Sequence, residues 1–215
     1  MISSLDSDTR LLVRLSAAIS GADEATTRRA IGDVGGRVSP EMVDEVILQS
    51  YLFAGFPRAL NAARMWRAAS GVRAPSSDDL ASPRHVDQWE RDGEATCAVV
   101  YGASYERLRR HIRELHPALD AWMITDGYGK VLSRPALDLK RRELCIVAAC
   151  AAAGQQRQLH SHLHGALNSG ASVNEVTETL DALRDLVGES EIARYKTLLA
   201  RVLSGRASPS SASIT

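Results

Sequence analysis

The 215-residue sequence has no excess of either charge, because Lys plus Arg and Asp plus Glu both number 26. A nucleic-acid partner or an anionic membrane surface attracts clustered positive charge. The balance therefore argues against both partners. Aromatic residues are also scarce, at 5%, while the abundant Ala, Leu, Glu and Arg favour helices.

Cysteine and long apolar runs are scarce too. The three cysteines, Cys97, Cys145 and Cys150, are an odd number without paired spacing. This argues against a disulfide framework and favours a reducing compartment. The longest apolar run, Leu144–Gly154, is too short to cross a bilayer, and the first ten residues show no signal-peptide pattern. We therefore expect a cytoplasmic protein.

Apolar spacing and capping signals predict helices throughout the first half of the chain. Two helices are expected at about residues 8–19 and 24–34. Ser39 is expected to cap a third helix that begins with Pro40. Gly55-Phe56-Pro57 should then break the chain before a further helix.

The second half is predicted to be helical after a linker rich in Pro, Ser and Asp. A short helix is expected at about residues 85–91, one capped by Ser104 at 104–115, and one at 118–127 before a loop at 129–135. Ser172, with Glu175 three residues later, has capping-box spacing. The predicted division of the chain is an N-terminal repeat at 1–69, a linker at 70–95, a C-terminal domain at 96–203 and a disordered tail at 204–215.

The two halves of the sequence resemble each other at an offset of 133 residues. At this offset Gly21 falls on Gly154 and Ser39 on Ser172, so helix ends and a cap coincide. The chemically interesting positions differ, because Arg10 lies opposite Glu143 and Arg29 opposite His162. We predict a tandem repeat in which the first copy has lost any Glu/His chemistry.

Most groups suited to chemistry lie between residues 138 and 178. Glu143 begins an apolar helix, and His160, His162 and His164 occupy the next one. His160 and His162 flank the core face of their helix on opposite sides, so spacing does not choose between them. Each position could also be structural: Glu143 in an ion pair, and the histidine at a core boundary.

A metal site and a disulfide both have weak support in this stretch. His160 and His164 are four residues apart, a spacing that can bind zinc, but no third ligand has a recognisable spacing. We therefore predict no metal. Cys145 and Cys150 lie about 140° apart around one helix, which does not allow a disulfide. We expect them to be small core residues.

About ninety residues, from Trp89 to Glu178, resemble the carboxymuconolactone decarboxylase family, which includes the alkyl hydroperoxidase D-like proteins. The resemblance is carried by Val100-Tyr101-Gly102, Tyr128-Gly129, Ser133-Arg134-Pro135, Leu137-Asp138-Leu139, Arg142-Glu143-Leu144, His162, Gly165-Ala166-Leu167-Asn168 and Gly170. It implies an all-α, alkyl hydroperoxidase D-like helical bundle that forms homo-oligomers. It also selects Glu143 and His162 as catalytic residues. The segment 51–61 resembles a part of the family that follows the histidine helix, and here it occurs only in the first half.

The peroxidase branch of this family uses two cysteines in CxxC spacing, and the matching positions here are Gln155 and Gln158. An amide forms neither a thiolate nor a disulfide, so that dithiol route is excluded. In the decarboxylase branch the glutamate position is usually not acidic, so the substrate is not carried over.

A Glu/His pair without cysteine or metal suits general acid–base catalysis. We therefore expect cofactor-free proton transfer or decarboxylation on a small organic acid or lactone, with Arg134 and Arg142 as substrate-binding cations. The alternatives are a peroxidase acting through a lone cysteine and a non-catalytic binding or scaffold protein. We further expect Glu143 and His162 to lie within hydrogen-bonding reach, and Gly55-Phe56-Pro57 to pack beside them.

Overall fold

Helices form nearly all of the regular structure in the computed structural model, which describes residues 5–207. No β-strand occurs in that range, which confirms the all-α fold class. The main helices are α1 (Ser7–Gly21), α2 (Glu24–Val34), α3 (Pro40–Ser70), α4 (Val86–Tyr101), α5 (Tyr105–Leu115), α6 (Pro117–Trp122), α7 (Leu139–Ala152), α8 (Gln156–Asn168), α9 (Val173–Asp181), α10 (Arg184–Val187) and α11 (Glu189–Ala207). A π-helical segment, Met123–Leu132, follows α6 directly. No helix within residues 5–207 is long and apolar enough to cross a membrane.

Side-chain caps explain where several of these helices begin. Ser39 accepts a hydrogen bond from the backbone N–H of Met42, as predicted. Ser172 and Glu175 form the predicted capping box at α9. Ser104 was wrongly predicted as a cap, because its hydroxyl accepts a hydrogen bond from Arg107 at the end of a 3-10 turn instead.

The predicted break after the first half of α3 lies at Gly55. This glycine has φ 80° and ψ 162°, inside an otherwise helical segment. Positive φ is accessible to glycine because it has no Cβ, and Pro57 then fits the first turn of the continuing helix. The kink therefore divides α3 into two helical arms.

Two regions are more helical than the sequence predicted. The expected short helix at 85–91 continues through Gly93 to Tyr101 as α4, and the expected loop at 129–135 is π-helical as far as Leu132. In these two regions the backbones approach each other closely, at positions where glycine has no Cβ. A Cβ on Gly93 would lie 2.1 Å from the Ile124 carbonyl oxygen, and one on Gly129 would lie 1.9 Å from the Trp89 carbonyl oxygen.

We expect Gly129→Ala to lower the free energy of unfolding by roughly 1–3 kcal/mol or more, because the added methyl group meets backbone that does not move aside easily. Chemical denaturation measures the loss. Gly32→Ala on the exposed face of α2 is the matched control, since a Cβ on Gly32 would have nothing within 4 Å. The control should be neutral or stabilising by up to about 1 kcal/mol. An equally stable Gly129→Ala protein would contradict this packing.

The helices of the first half meet those of the second in one hydrophobic core. α1 lies along α7, where the Ser16 hydroxyl donates a hydrogen bond of 2.7 Å to the Cys145 carbonyl. The order α1, α2, α3 also recurs as α7, α8, α9 with starts close to the offset of 133 residues. A common origin of the two halves stays a prediction.

Two of the predicted domain boundaries fall inside helices. α4 crosses the boundary at 95/96, because Trp89, Cys97 and Val100 are buried along one face of a single helix. α11 continues past 203 to Ala207, so residues 204–207 are helical and not part of a disordered tail. The rest of the predicted tail, 208–215, lies outside the described residues.

Candidate functional site

Glu143 lies in the first turns of α7, one helical turn after the cap. Asp138 caps the helix by accepting a hydrogen bond from the backbone N–H of Arg141. The Glu143 side chain is fully buried, at 0% exposure. A carboxylate in this position requires a partner, because burial of an isolated charge is costly.

His162 on α8 is that partner. Its Nδ1 lies 2.9 Å from Oε2 of Glu143, and the histidine is only 5% exposed. This confirms the predicted contact between the two residues. His160 points elsewhere: it is exposed, and its ring lies 5.2 Å from that of His164 in an edge-to-face arrangement.

Gly165 allows α8 to approach Glu143 this closely. A Cβ at this position would lie 2.4 Å from Oε2 of Glu143 and 2.8 Å from Cγ1 of Val100. Any larger residue would push the carboxylate away from the histidine. The glycine was part of the family resemblance in the sequence, but only the structure shows that it makes room for the Glu143 carboxylate.

Each residue of the pair has one polar side-chain atom without a hydrogen-bond partner within residues 5–207. Oε1 of Glu143 is fully buried and has no hydrogen-bond partner within residues 5–207. Nε2 of His162 also lacks a partner there, yet it is not among the fully buried unpaired atoms. Nε2 is therefore the less buried of these two atoms.

The first half of the chain supplies one wall of this site through Phe53. Its ring lies 5.7 Å from the His162 ring in an edge-to-face arrangement. The predicted Gly55-Phe56-Pro57 contact is wrong in detail, because Phe56 is 63% exposed and stacks on Tyr51. The kink at Gly55 carries Phe56 outward. Sequence reasoning missed Phe53, although it lies in the segment that resembles the family.

Buried phenols and thiols surround Glu143 on its other sides. Burial raises the pKa of Tyr101 and of Tyr128, and the negative charge of Glu143 raises both further. The two rings contact each other edge to face at 6.2 Å. Both phenols are therefore held neutral beside the carboxylate.

The three cysteines are buried free thiols. Burial raises the pKa of each of them to about 12. A thiol with such a pKa carries almost no thiolate at neutral pH, and the thiolate is the reactive form. This arrangement fits their expected role as core residues.

We expect none of the three cysteines to react quickly with a thiol reagent such as Ellman's reagent in the native protein at pH 8. A raised pKa leaves the neutral thiol, and burial blocks the reagent. All three should react once guanidinium unfolds the chain. Rapid labelling of one cysteine in the native protein would contradict this and support the lone-cysteine alternative.

The two arginines expected to bind substrate are engaged with Glu45 on α3. Arg142, 0% exposed, donates to Glu45 at 2.8 Å and also to the carbonyls of Leu137 and Arg134. Burial lowers the pKa of Arg142, and the ion pair with Glu45 opposes this shift. Arg134 contacts Glu45 at 2.9 Å and Asp78 at 2.8 Å. A substrate-binding role for either arginine stays a prediction, because the substrate would have to compete with these carboxylates.

Two other predicted features can now be located. Gln155 and Gln158, at the cysteine positions of the peroxidase branch, are both exposed at the start of α8. Across residues 5–207, no three His, Cys, Asp or Glu side chains come together as a group that could hold a metal ion.

Comparison with known proteins agrees with the family resemblance of the sequence. Residues 117–196, which contain both Glu143 and His162, match the model of the Carboxymuconolactone decarboxylase family. The match lies largely within the stretch whose resemblance to this family the sequence predicted.

Two relatives are both named Peroxisomal protein 2. The one from Schizosaccharomyces pombe is 28% identical over 151 residues, which cover 69% of this chain and 70% of the relative. The one from Saccharomyces cerevisiae is 26% identical over 167 residues, which cover 66% of this chain and 58% of the relative. The similarity to both extends well beyond the matched family segment.

Proposed function

We propose that this chain is a cofactor-free enzyme that moves a proton on a small organic acid or lactone, or decarboxylates it, through His162 and Glu143. The observation that supports this most is the buried hydrogen bond of 2.9 Å between the two side chains. The family match of the segment that contains both residues supports it further.

The burial of the pair favours different roles for its two members. Glu143 is 0% exposed, whereas Nε2 of His162 is not among the fully buried unpaired atoms. In neutral histidine, Nδ1–H donates to Glu143 and leaves Nε2 as an acceptor. We therefore assign His162 as the base that touches the substrate and Glu143 as the residue that orients it.

The proton transfer balances without a cofactor. Nε2 of His162 takes a proton from a carbon next to a carbonyl group, and the electron pair of the broken C–H bond moves into the enolate. The carboxylate of Glu143 stabilises the imidazolium that forms. The imidazolium then returns the proton to another carbon of the substrate, which completes a double-bond migration. In a decarboxylation, the C–C bond breaks, CO₂ leaves, and a protonated His162 supplies the proton to the resulting enolate.

The experiment that tests this proposal works before the substrate has been identified. The protein is incubated in D₂O with a panel of small carboxylic acids and lactones, and NMR detects deuterium incorporation while a coupled assay detects CO₂. We expect at least one compound to react with the wild type and to react far more slowly with His162→Gln. Glu90→Gln, a change at an exposed carboxylate on α4, is the control and should react like the wild type.

The outcomes of that panel separate the remaining alternatives. A compound that binds without reacting, with equal affinity for the wild type and His162→Gln, would contradict the proposal and favour a binding protein. Turnover of a peroxide that depends on a cysteine would favour the peroxidase alternative. The raised pKa of all three thiols speaks against that outcome.

A homo-oligomer is also part of the proposal. Several large apolar side chains are more than 40% exposed in the single chain, namely Leu48, Phe56, Leu60, Leu115, Leu119 and Trp122. Exposed apolar side chains of this size often mark contacts between subunits. Light scattering should therefore give a mass that is a multiple of 23.3 kDa. A strictly monomeric protein at micromolar concentration would contradict this.

The location in the cell is a further part of the proposal. The cysteine usage favours a cytoplasmic location, which stays a prediction, whereas the names of both relatives refer to the peroxisome. We propose the cytoplasm as the location. Microscopy of a fluorescent fusion in the native host distinguishes a diffuse signal from a punctate one, and a punctate signal would overturn this location.

A further inference from the structure

A cleft between α5, α8 and α11 lies apart from the Glu143–His162 pair. Its volume is about 940 Å³, which is within the range of small-molecule sites. Neither Glu143 nor His162 lines it, although Tyr101 and Ser161, which do, lie near them. The cleft is thus a separate feature that the proposed chemistry does not use.

The wall of this cleft is strongly basic. It contains three arginines and three histidines: Arg107, Arg110, His111, His160, His164 and Arg206. Glu114 is the single acidic residue among those that line it. In a chain whose formal net charge is zero, this is a local concentration of positive charge.

The arginines of the cleft differ from their neighbours in how they are paired. On α5, Arg109 and Arg113 both form ion pairs with the buried carboxylate of Asp120. Arg107 donates to the neutral Ser104 hydroxyl at 3.2 Å, and Arg110 has no ion pair within residues 5–207. The arginines on one side of α5 are therefore ion-paired, and the two that line the cleft are not, within the described part of the chain.

Arg206 on α11 is held in place by a neutral partner. Its Nη1 donates to Oδ1 of Asn168 at 2.8 Å, and Nδ2 of Asn168 donates to the Val100 carbonyl at 2.8 Å. An amide orients the guanidinium without neutralising it, which leaves its other donors for a ligand. The chain therefore positions a cation at this edge of the cleft.

The histidines of the cleft are placed where a bound anion would favour their charged form. The rings of His160 and His164 are adjacent, and Arg206 is close to them. Burial lowers the pKa of His164, and the neighbouring His160 and Arg206 lower it further. Positive groups that oppose the protonation of one another are stabilised by a bound anion.

We propose that this cleft binds a small multivalent anion, of the size of a phosphate ester or a di- or tricarboxylate, through Arg107, Arg110 and Arg206. Guanidinium groups suit this class of ligand, because each can give two parallel hydrogen bonds to a phosphate or a carboxylate. The volume of the cleft leaves room for more than the charged group alone. The proposal is independent of the reaction assigned to His162.

Isothermal titration calorimetry of the full chain with pyrophosphate and with citrate tests this proposal and distinguishes the two anion chemistries. We expect at least one of them to bind, and we expect Arg110→Gln and Arg206→Gln each to weaken that binding about tenfold or more, because each removes charge-assisted hydrogen bonds. Both arginines are exposed, so the variants should fold normally.

Matched control variants distinguish anion binding in the cleft from nonspecific electrostatic attraction to the protein. Arg91→Gln on α4 and Arg201→Gln on α11 also remove an exposed arginine, but neither lines the cleft. These two variants should bind the anion within about twofold of the wild type, apart from the small effect of net charge. An equal loss in the control variants would overturn the proposal. So would the absence of binding of either anion at millimolar concentration in a low-salt buffer.

Discussion

The Glu143→Gln protein should lose most of its activity and keep its fold. With any substrate that the D₂O panel identifies, we expect kcat/KM to fall by about 10²- to 10⁴-fold. The glutamine has the shape of the glutamate, but its amide can also donate a hydrogen bond to Nδ1 of His162. The tautomer of the histidine then changes, Nε2 carries the proton, and it is no longer a base.

The stability of Glu143→Gln distinguishes a catalytic role of Glu143 from a purely structural ion pair with His162. Oε1 of Glu143 is buried without a partner, which costs free energy that a neutral side chain saves in part. We therefore expect the free energy of unfolding of Glu143→Gln to stay within about 1 kcal/mol of the wild type, or to rise. A loss of roughly 3–5 kcal/mol, the usual cost of breaking a buried ion pair, would show that the pair is structural.

The largest loss of stability should come from Glu45→Gln, a change that leaves both Glu143 and His162 in the chain. Glu45 is 4% exposed and holds two arginines, Arg134 and Arg142, of which Arg142 is 0% exposed. Removal of the carboxylate leaves the Arg142 guanidinium buried without a counter-charge. We expect the free energy of unfolding to fall by roughly 3–5 kcal/mol, and the melting temperature by roughly 6–20 °C.

An exposed pair provides the control for this prediction. Glu24 and Arg28 form an ion pair at 2.7 Å on the surface of α2, and Glu24→Gln should cost less than about 0.5 kcal/mol. Urea unfolding curves of the two variants measure the difference. Equal stability of Glu45→Gln and the wild type would mean that the Glu45–Arg142 ion pair does not stabilise the packing of α3 on α7.

The helices and the Glu143–His162 contact were largely visible in the sequence. α2 has the predicted limits, and Asp138, Ser39 and Ser172 act at helix starts as their residue types favour. These are local effects, so a local pattern suffices to predict them. The Glu143–His162 contact was predicted through the family resemblance, because helical spacing alone did not choose between His160 and His162.

The features that were missed depend on contacts between distant parts of the chain. Gly93 and Gly129 read as helix breakers, yet they permit two backbones to meet and allow the helices to continue. Glu45 is one of several acids on α3, and nothing in its neighbourhood indicated that it would pair with Arg134 and Arg142. Phe53 reaches His162 because the packing of α3 against the second half brings it there. No sequence pattern carries that information.

A double-mutant cycle tests the proposed pair most directly. The measurement is kcat/KM for the wild type, Glu143→Gln, His162→Gln and the double variant, with one substrate from the panel. If His162 is the base and Glu143 acts only by orienting it, the double variant should be no slower than His162→Gln, because residues that act as a unit are not additive. The proposed pair would be contradicted if the double variant were slower by the product of the two single effects. It would also be contradicted if both single variants were as active as the wild type.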